Sequence, residues 1–278
     1  AGRRGLVRLR RAATRLGRVV AGLSHAAADL ALGSVCAGCG EHPGLLCPSC
    51  RGALLGPASH VLTVPGRPDL PLAAAAAYAD AVRAAIIEHK EHGRLPLAGP
   101  LGDALAVAVT ALLAAGAPCR ASPGDRAAWM GPALGEAARG HPAHADPAEA
   151  CTSHEDRPVV LIPVPSAPAA VRRRGHDPVL RSARRAAATL HRSGQRASVV
   201  AGLRHARRVA DQAGLDRRER EDNLHGSLVV TAAVRRAAGR CVVVVDDIAT
   251  TGATLRESVR ALEAAGVRPC GAAVIAVV

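Results

Sequence analysis

Short apolar runs and helically spaced apolar positions alternate along most of this chain. The apolar runs predict strands at 71–78, 158–165, 198–203, 226–230, 241–245 and 271–278. The helical spacing predicts helices at 79–92, 100–115, 177–190 and 211–220, and a last one from Leu255 through Leu262 that ends before Gly266. Strands that alternate with helices predict an α/β fold, with a parallel sheet flanked by helices.

The remaining segments predict the domain organisation. Residues 1–33 are rich in arginine and predict a basic, partly helical arm, and residues 34–52 form a separate cysteine module. The α/β domain then spans 70–278, interrupted at 117–157. There the periodicity disappears among prolines, glycines and alanines, which predicts a largely disordered insertion.

The run from Cys241 to Leu255 is the most informative part of the chain. Four consecutive valines after Cys241 predict a central strand that is covered on both faces. Asp246 and Asp247 follow at its carboxyl end, where open α/β sheets bind ligands. The small residues from Ala249 to Thr254 then lead into a helix. Backbone N–H groups at a helix N-terminus favour an anion such as phosphate.

Two other interpretations of this run are weaker. One acid or threonine could simply cap the helix, but capping does not call for two acids and three threonines. Other phosphate-binding motifs do not match, because no Gly-x-x-x-x-Gly-Lys-Ser/Thr is present and Lys90, the only lysine, is distant in sequence. Carboxylates beside a phosphate-binding turn instead suggest a phosphorylated ribose.

The run resembles the phosphoribosyl-diphosphate (PRPP) signature of type I phosphoribosyltransferases. The resemblance implies that Asp246 and Asp247 hold the ribose hydroxyls and help to hold Mg²⁺ indirectly, as the catalytic acids. It also implies a loop for the 5-phosphate, formed by Ala249, Thr250, Thr251, Gly252, Ala253 and Thr254.

Composition limits the alternatives. Hydrophobic residues make up 49% of the chain, but aromatic residues only 1%, so the core must consist of Ala, Val, Leu and Ile. The net charge of +13 attracts phosphates and nucleic acid without specificity. A surface that stacks bases on aromatic rings is excluded by the shortage of such rings. Leu101 to Ala115 is too short for a membrane span, and we expect a cytoplasmic protein.

Two Cys-x-x-Cys pairs predict a metal site in the cysteine module. Their spacing suits a structural Zn²⁺ held by four thiolates: Cys36, Cys39, Cys47 and Cys50. Two disulfides or a redox pair are the alternatives. Disulfides require an oxidising compartment, for which the sequence offers no export signal, and a redox pair usually occurs once. The other four cysteines are expected to be packing or exposed thiols.

Beyond the signature, the chain resembles the ComF family of competence-associated, phosphoribosyltransferase-like proteins. The resemblance rests on the cysteine pairs, on Tyr78 followed by 86–93 with Lys90, and on Pro163-Val164-Pro165 followed by Arg172-Arg173-Arg174-Gly175. A further block runs into the signature and contains Arg204, Gln212, Arg220 and Asn223. Where relatives tend to have Arg-Gly-Phe-Asn-Gln, this chain has His176-Asp177-Pro178 after Arg174-Gly175, a good helix start.

This wider resemblance implies further ligand contacts. Val164, Pro165 and Ser166 occupy the position of the family's pyrophosphate loop, and Lys90 joins the PRPP-binding residues. Arg172, Arg173 and Arg174 suit the diphosphate, because guanidinium groups bind phosphate bidentately, although a solvated basic face explains them equally well.

Two functions remain open at this point. The first is an Mg²⁺-dependent phosphoribosyltransferase, a pentosyl-transferring enzyme of nucleotide metabolism, with an unidentified acceptor. The second is a non-catalytic module that keeps the PRPP fold, binds PRPP and supports competence or DNA processing through protein contacts, the zinc knuckles and non-specific DNA contacts of the basic surface. A homodimer is compatible with either function. A third possibility is a DNA-binding regulator that senses PRPP, but the sequence has no recognisable helix-turn-helix.

Overall fold

The computed structural model describes residues 35–56, 60–116, 158–206, 225–237 and 240–278. A six-stranded sheet has the order β1-β2-β8-β7-β3-β4. Its strands are β1 (His60–Val64), β2 (Arg67–Ala77), β3 (Val159–Pro163), β4 (Ala197–Val199), β7 (Cys241–Ala249) and β8 (Gly271–Val277). A separate two-stranded sheet pairs β5 (Leu203–His205) with β6 (Leu228–Val230).

Six helices accompany these strands in the described ranges. They are α1 (Pro48–Leu54), α2 (Asp80–Lys90), α3 (Ala98–Ala114), α4 (Pro168–Arg174), α5 (Pro178–Arg192) and α6 (Ala253–Glu263). Short 3-10 helices occupy Leu95–Leu97 and Ala232–Ala237. The predicted α2, α3, α5 and α6 are confirmed to within a few residues. Asp177 caps α5 as expected, because its side chain accepts a hydrogen bond from the backbone N–H of Leu180.

The sheet is parallel except at one edge. β2, β8, β7, β3 and β4 pair in parallel, which confirms the predicted α/β class. β1 pairs with β2 in antiparallel fashion and was not predicted. Its neighbouring apolar residues Val61 and Leu62 are 44% and 48% exposed, so β1 lacks the pattern of a buried strand.

The core lies on both faces of the sheet. Side chains alternate along β7, so that Val243 and Val245 face the α2, α3 and α5 side, whereas Val242 and Val244 face the α6 side. Alanine, valine, leucine and isoleucine dominate both clusters, as the composition requires. Helices α3 and α5 approach closely at Gly102, where an added Cβ would overlap Cβ of Arg185.

Two predicted strands differ from the observed ones. The strand predicted at 198–203 was wrong, because β4 ends at Val199 and the chain turns at Gly202 before β5 pairs with β6. The strand predicted at 241–245 continues to Ala249, so Asp246 and Asp247 belong to β7 itself. The arm 1–33, the insertion 117–157 and the helix at 211–220 lie outside the described residues and stay predictions.

One apolar segment is longer than the sequence suggested. Within the described ranges, Leu95–Ala114 is long and apolar enough to cross a membrane. Most of this segment is buried, and α3 packs against β2, β8 and α5. A core helix of a globular domain has the same features, so the segment's length alone does not indicate a membrane span.

Candidate functional site

The site lies where β7 and β3 end. Asp246 and Asp247 are neighbours near the end of β7, and both are buried. The backbone N–H of Asp247 donates a 2.8 Å hydrogen bond to Oδ1 of Asp246. On the adjacent strand, the N–H of Val164 donates to the carbonyl oxygen of Val245, which holds the chain after β3 beside the acids. The acids therefore stand at the carboxyl edge of the sheet, as predicted.

Burial makes the acid pair electrostatically unusual. The pKa of Asp246 is raised well above its ordinary value, first by burial and then by the neighbouring charge of Asp247. The positive charge of Lys90 opposes this rise. A site of this kind favours a cation or a hydrogen-bond donor beside the carboxylates, because either one compensates the buried negative charge.

Lys90 supplies such a cation. It is the last residue of α2, and its Nζ lies 2.7 Å from Oδ2 of Asp247. Burial alone would lower the pKa of Lys90, but the charges of Asp247 and Asp246 outweigh burial and raise it. Lys90 was included among the site residues only through the family resemblance, and the structure brings it into direct contact with the signature.

The segment 249–254, called the 249–254 turn, comprises the last residue of β7, the turn itself and the first two residues of α6. Gly252 is the N-cap of α6, and its φ of 70° is in the left-handed region that favours glycine. An added Cβ at Gly252 would lie only 2.9 Å from Cδ of Pro65, in the turn between β1 and β2. Arg256 fixes the same contact, because its Nη1 donates to the carbonyl oxygens of both Pro65 and Thr251.

The segment after β3 is engaged with the start of α5. Ser166, which follows Val164 and Pro165, donates its backbone N–H to Oδ2 of Asp177 at 3.2 Å. Ser166 belongs to the segment expected at the pyrophosphate, but its backbone N–H is satisfied within the protein. Asp177 uses its other carboxylate oxygen to cap α5, so one side chain joins both segments.

The three arginines of α4 differ in their surroundings. Arg172 and Arg173 are exposed, whereas the side chain of Arg174 is only 11% exposed. Arg174 forms a bidentate ion pair with Glu91, with Nη2 at 2.5 Å from Oε1 and Nε at 3.3 Å from Oε2. Arg174 is thus the largely buried member of the triplet, whereas Arg172 and Arg173 are exposed, and Nη2 of Arg173 lies 4.0 Å from Oε2 of Glu91.

Two residues that flank Lys90 in sequence, His89 and Glu91, were missed by sequence reasoning. His89 and His176 are both buried, with ring centroids 5.6 Å apart, and burial is the main cause that lowers the pKa of His89. Glu91 contacts Arg174, as described above. The only available signal was their position beside Lys90, which indicates no partner by itself.

The remaining motif residues are only partly described. Arg204 lies in β5, is exposed, and donates to the carbonyl oxygen of its neighbour His205 at 3.5 Å. Nε2 of His205 lies 3.1 Å from the carbonyl oxygen of Pro165, so the small sheet contacts the segment after β3. The other family-motif residues, Gln212, Arg220 and Asn223, lie outside the described residues.

The four cysteines of the N-terminal module come together as predicted. The Sγ atoms of Cys36, Cys39, Cys47 and Cys50 all lie within 4.8 Å of one another. They are free thiols rather than disulfides. Burial tends to raise the pKa of Cys36, but backbone N–H groups of Cys39, Cys47 and Gly38 lower it to about 6. A thiolate that accepts N–H bonds inside a compact four-sulfur cluster fits a structural Zn²⁺.

Comparison with known proteins supports a phosphoribosyl-related domain. Residues 176–278 match the family model of the phosphoribosyl transferase domain. The matched region extends from the start of α5 through β8, and it includes both acids and the 249–254 turn. The mostly parallel sheet with flanking helices fits that domain. Lys90, Glu91 and the cysteine module precede the matched region. No curated protein matches the chain.

Proposed function

We propose that this protein binds PRPP together with Mg²⁺ and transfers its 5-phosphoribosyl group to an acceptor. The observation that carries the proposal is the buried acid pair on β7, followed directly by the glycine-capped turn into α6, inside the region that matches the phosphoribosyl transferase domain. Carboxylates bind sugar hydroxyls, and the N–H groups of such a turn bind phosphate.

The acids form the ribose end of the site. Asp246 and Asp247 accept hydrogen bonds from the ribose hydroxyls and contribute negative charge toward Mg²⁺. The ion pair between Asp247 and Lys90 supports this assignment, because it shows that a cation is stable beside Asp247. Mg²⁺ prefers substrate phosphates and retains several waters, so it would neutralise part of the diphosphate charge when bound.

The phosphates occupy two separate surfaces. The turn 249–254 holds the 5-phosphate through backbone N–H groups and threonine hydroxyls at the start of α6. Arg174 and Lys90 bind the diphosphate, because both are cationic and Glu91, the residue after Lys90, joins Arg174 to the end of α2. The segment Val164–Ser166, which the Val164 N–H holds beside β7, borders the diphosphate.

The chain's contribution to transfer is positioning and charge stabilisation. The acceptor's lone pair forms a bond to C1 of the ribose while the bond from C1 to the diphosphate oxygen breaks. The electron pair of the broken bond leaves with the diphosphate. Positive charge develops on the ribose ring, and negative charge on the leaving group. Asp246 and Asp247 stabilise the first charge, and Arg174 and Lys90 stabilise the second.

Within phosphoribosyltransferase-like proteins, we assign the chain to the ComF type. The four-cysteine module, the Lys90 segment and the Arg172–Arg174 triplet support this assignment. The cysteines then hold a structural Zn²⁺, and reduced thiols in the module favour a cytoplasmic location.

A second candidate function is a non-catalytic PRPP-binding module that assists DNA uptake or processing. The net charge of +13 favours it, because such a charge attracts DNA. Electrostatic DNA binding should weaken steeply with salt and ignore sequence. DNA binding without pyrophosphate release in the presence of PRPP would favour this function over transfer.

Calorimetry with PRPP and Mg²⁺ tests the proposed site directly. We expect binding by the wild type and its loss in Asp246→Asn/Asp247→Asn. Asp69→Asn is the matched control, since Asp69 is an exposed acid near the beginning of β2 that pairs with Arg67. Failure of the wild type to bind, or unchanged binding by the double variant, would refute the site. Pyrophosphate release across a panel of bases and amines then separates enzyme from binder.

A further inference from the structure

The end of α2 places three consecutive side chains against the candidate site. His89 packs beside His176, and Lys90 pairs with Asp247 at 2.7 Å. Glu91, the next residue, makes its bidentate ion pair with Arg174. Lys90 and Glu91, which are adjacent in sequence, therefore neutralise one anionic and one cationic group of the site.

One member of each of these two ion pairs is largely buried. The side chains of Asp247 and Arg174 are each only 11% exposed. Removing the partner of a largely buried charge is costly, because water cannot replace that partner fully. A ligand that engages Asp247 or Arg174 must therefore take over the role of Lys90 or Glu91.

A metal–diphosphate ligand presents the same two charges as this dipeptide. Its metal ion is a cation for the acid pair, as Lys90 is, and its diphosphate is an anion for Arg174, as Glu91 is. A phosphate monoester without a diphosphate presents one anionic group, which the turn 249–254 can bind without disturbing either pair.

We propose that Lys90 and Glu91 act together as a built-in substitute for the metal diphosphate, and that their displacement makes the site selective for ligands that carry both charges. Such a ligand replaces both ion pairs at once. When Lys90 leaves Asp247 it becomes available to the diphosphate, whereas Glu91 turns away from it. This inference rests on the proposed function for the identity of the ligand.

The surrounding contacts hold the end of α2 in place during this exchange. Nδ1 of His89 lies 3.4 Å from the carbonyl oxygen of Arg94. Nη2 of Arg94 in turn donates to the carbonyl oxygens of Val35 and Gly44, at 2.7 and 3.5 Å, in the cysteine module. The helix end is therefore fixed between the module and the core, and the exchange requires only that the side chains of Lys90 and Glu91 move.

The test uses each half of the ligand separately on the full chain. The variants are Glu91→Gln, which releases Arg174, and Lys90→Met, which releases Asp247. Glu88→Gln is the matched control, because Glu88 lies on the same helix but pairs with His92 at 2.7 Å. Inorganic diphosphate binding is measured by calorimetry, and Mn²⁺ binding by electron paramagnetic resonance.

We expect Glu91→Gln to bind diphosphate about threefold to tenfold more tightly than the wild type, without a gain for Mn²⁺. Lys90→Met should bind Mn²⁺ more tightly by a similar factor, without a gain for diphosphate. Glu88→Gln should change neither. A merely structural role of the two residues would weaken both ligands in both variants, and that result would overturn the inference.

The outcome is separable from that of the proposed function. If the wild type binds Mg²⁺–PRPP but neither variant gains affinity for its half-ligand, the substitution model is overturned and the PRPP site stands. If both gains appear while Mg²⁺–PRPP does not bind, the internal pairing is supported and the phosphoribosyl ligand is refuted.

Discussion

Nη1 of Arg256, in the first turn of α6, donates a 2.9 Å hydrogen bond to the carbonyl oxygen of Thr251. The same nitrogen donates to the carbonyl oxygen of Pro65, between β1 and β2. One guanidinium thus connects the proposed phosphate-binding turn to the antiparallel edge of the sheet. That connection explains how a turn of small residues keeps a defined conformation.

Replacing Arg256 with leucine should loosen the turn. Two charge-assisted hydrogen bonds are lost, so we expect the free energy of unfolding to fall by about 1–3 kcal/mol and PRPP affinity to fall severalfold. Urea denaturation and calorimetry measure the two effects. Arg268→Leu is the control, because Arg268 is an exposed arginine beyond α6. Equal effects of both substitutions would contradict the assigned role of Arg256.

Gly252→Ala tests the same turn from its backbone. Its positive φ and the 2.9 Å approach of an added Cβ to Pro65 should together lower the free energy of unfolding by about 2–4 kcal/mol. Gly116→Ala has the same φ, but no atom of the described residues lies within 4 Å of the added Cβ. It should cost only about 1 kcal/mol, as expected for the φ term alone. Denaturant titration of both variants isolates the steric part.

The cysteine module should retain zinc through purification without chelators. We expect one Zn²⁺ per chain by metal analysis, and its loss in Cys36→Ser, because hydroxyls are poor zinc ligands compared with thiolates. Cys270→Ser should keep the metal, since Cys270 is a buried residue that lies 3.1 Å from Cys241, Sγ to Sγ, away from the cluster. Zinc-free wild-type protein that is fully folded would contradict a structural metal.

Local patterns predicted the parts of the fold that depend on neighbouring residues. The β7-to-α6 run was found because the valines, the acids and the small turn are contiguous. The contact of Lys90 with Asp247 could not be derived in this way. It depends on the sheet order β2-β8-β7, which brings the helix after β2 to the end of β7 and which no local pattern specifies.

Turn chemistry explains the other differences between prediction and structure. The mostly apolar run from Ser198 to Leu203 favoured one strand. The N–H of Gly202, however, donates a hydrogen bond to the carbonyl oxygen of Val200, and this turn interrupts the strand. Beyond this turn the chain changes partner from β3 to β6. A tertiary contact also restricts this position to glycine, because an added Cβ at Gly202 would lie 2.6 Å from Cγ2 of Val234.

Glu257 predicts an acid-sensitive contribution to stability. This buried residue of α6 accepts hydrogen bonds from Arg260 and from the N–H of Leu228. Burial alone would raise the pKa of Glu257, but these bonds lower it below its ordinary 4.5. The contribution is therefore complete above about that value and is lost as pH falls below it. Glu257→Gln should cost about 1–3 kcal/mol at pH 7, and the difference should shrink below pH 4.5.

Asp246 predicts a pH dependence of the opposite sign. Its pKa is raised well above the ordinary 3.8, first by burial and then by Asp247, so the folded state binds its proton more tightly than the unfolded chain does. Wild-type stability should therefore decline as the pH rises above 3.8, until the folded protein also releases the proton.

Asp246→Asn removes this pH-dependent contribution, and in ligand-free, metal-free buffer the variant should gain stability over the wild type with increasing pH. Thermal denaturation from acid to neutral pH measures the gain, and a constant or shrinking difference would contradict the assignment. The same variant should bind PRPP less tightly. The charge of Asp246 lowers the stability of the empty protein, but it also attracts the cation and the ribose hydroxyls of the ligand.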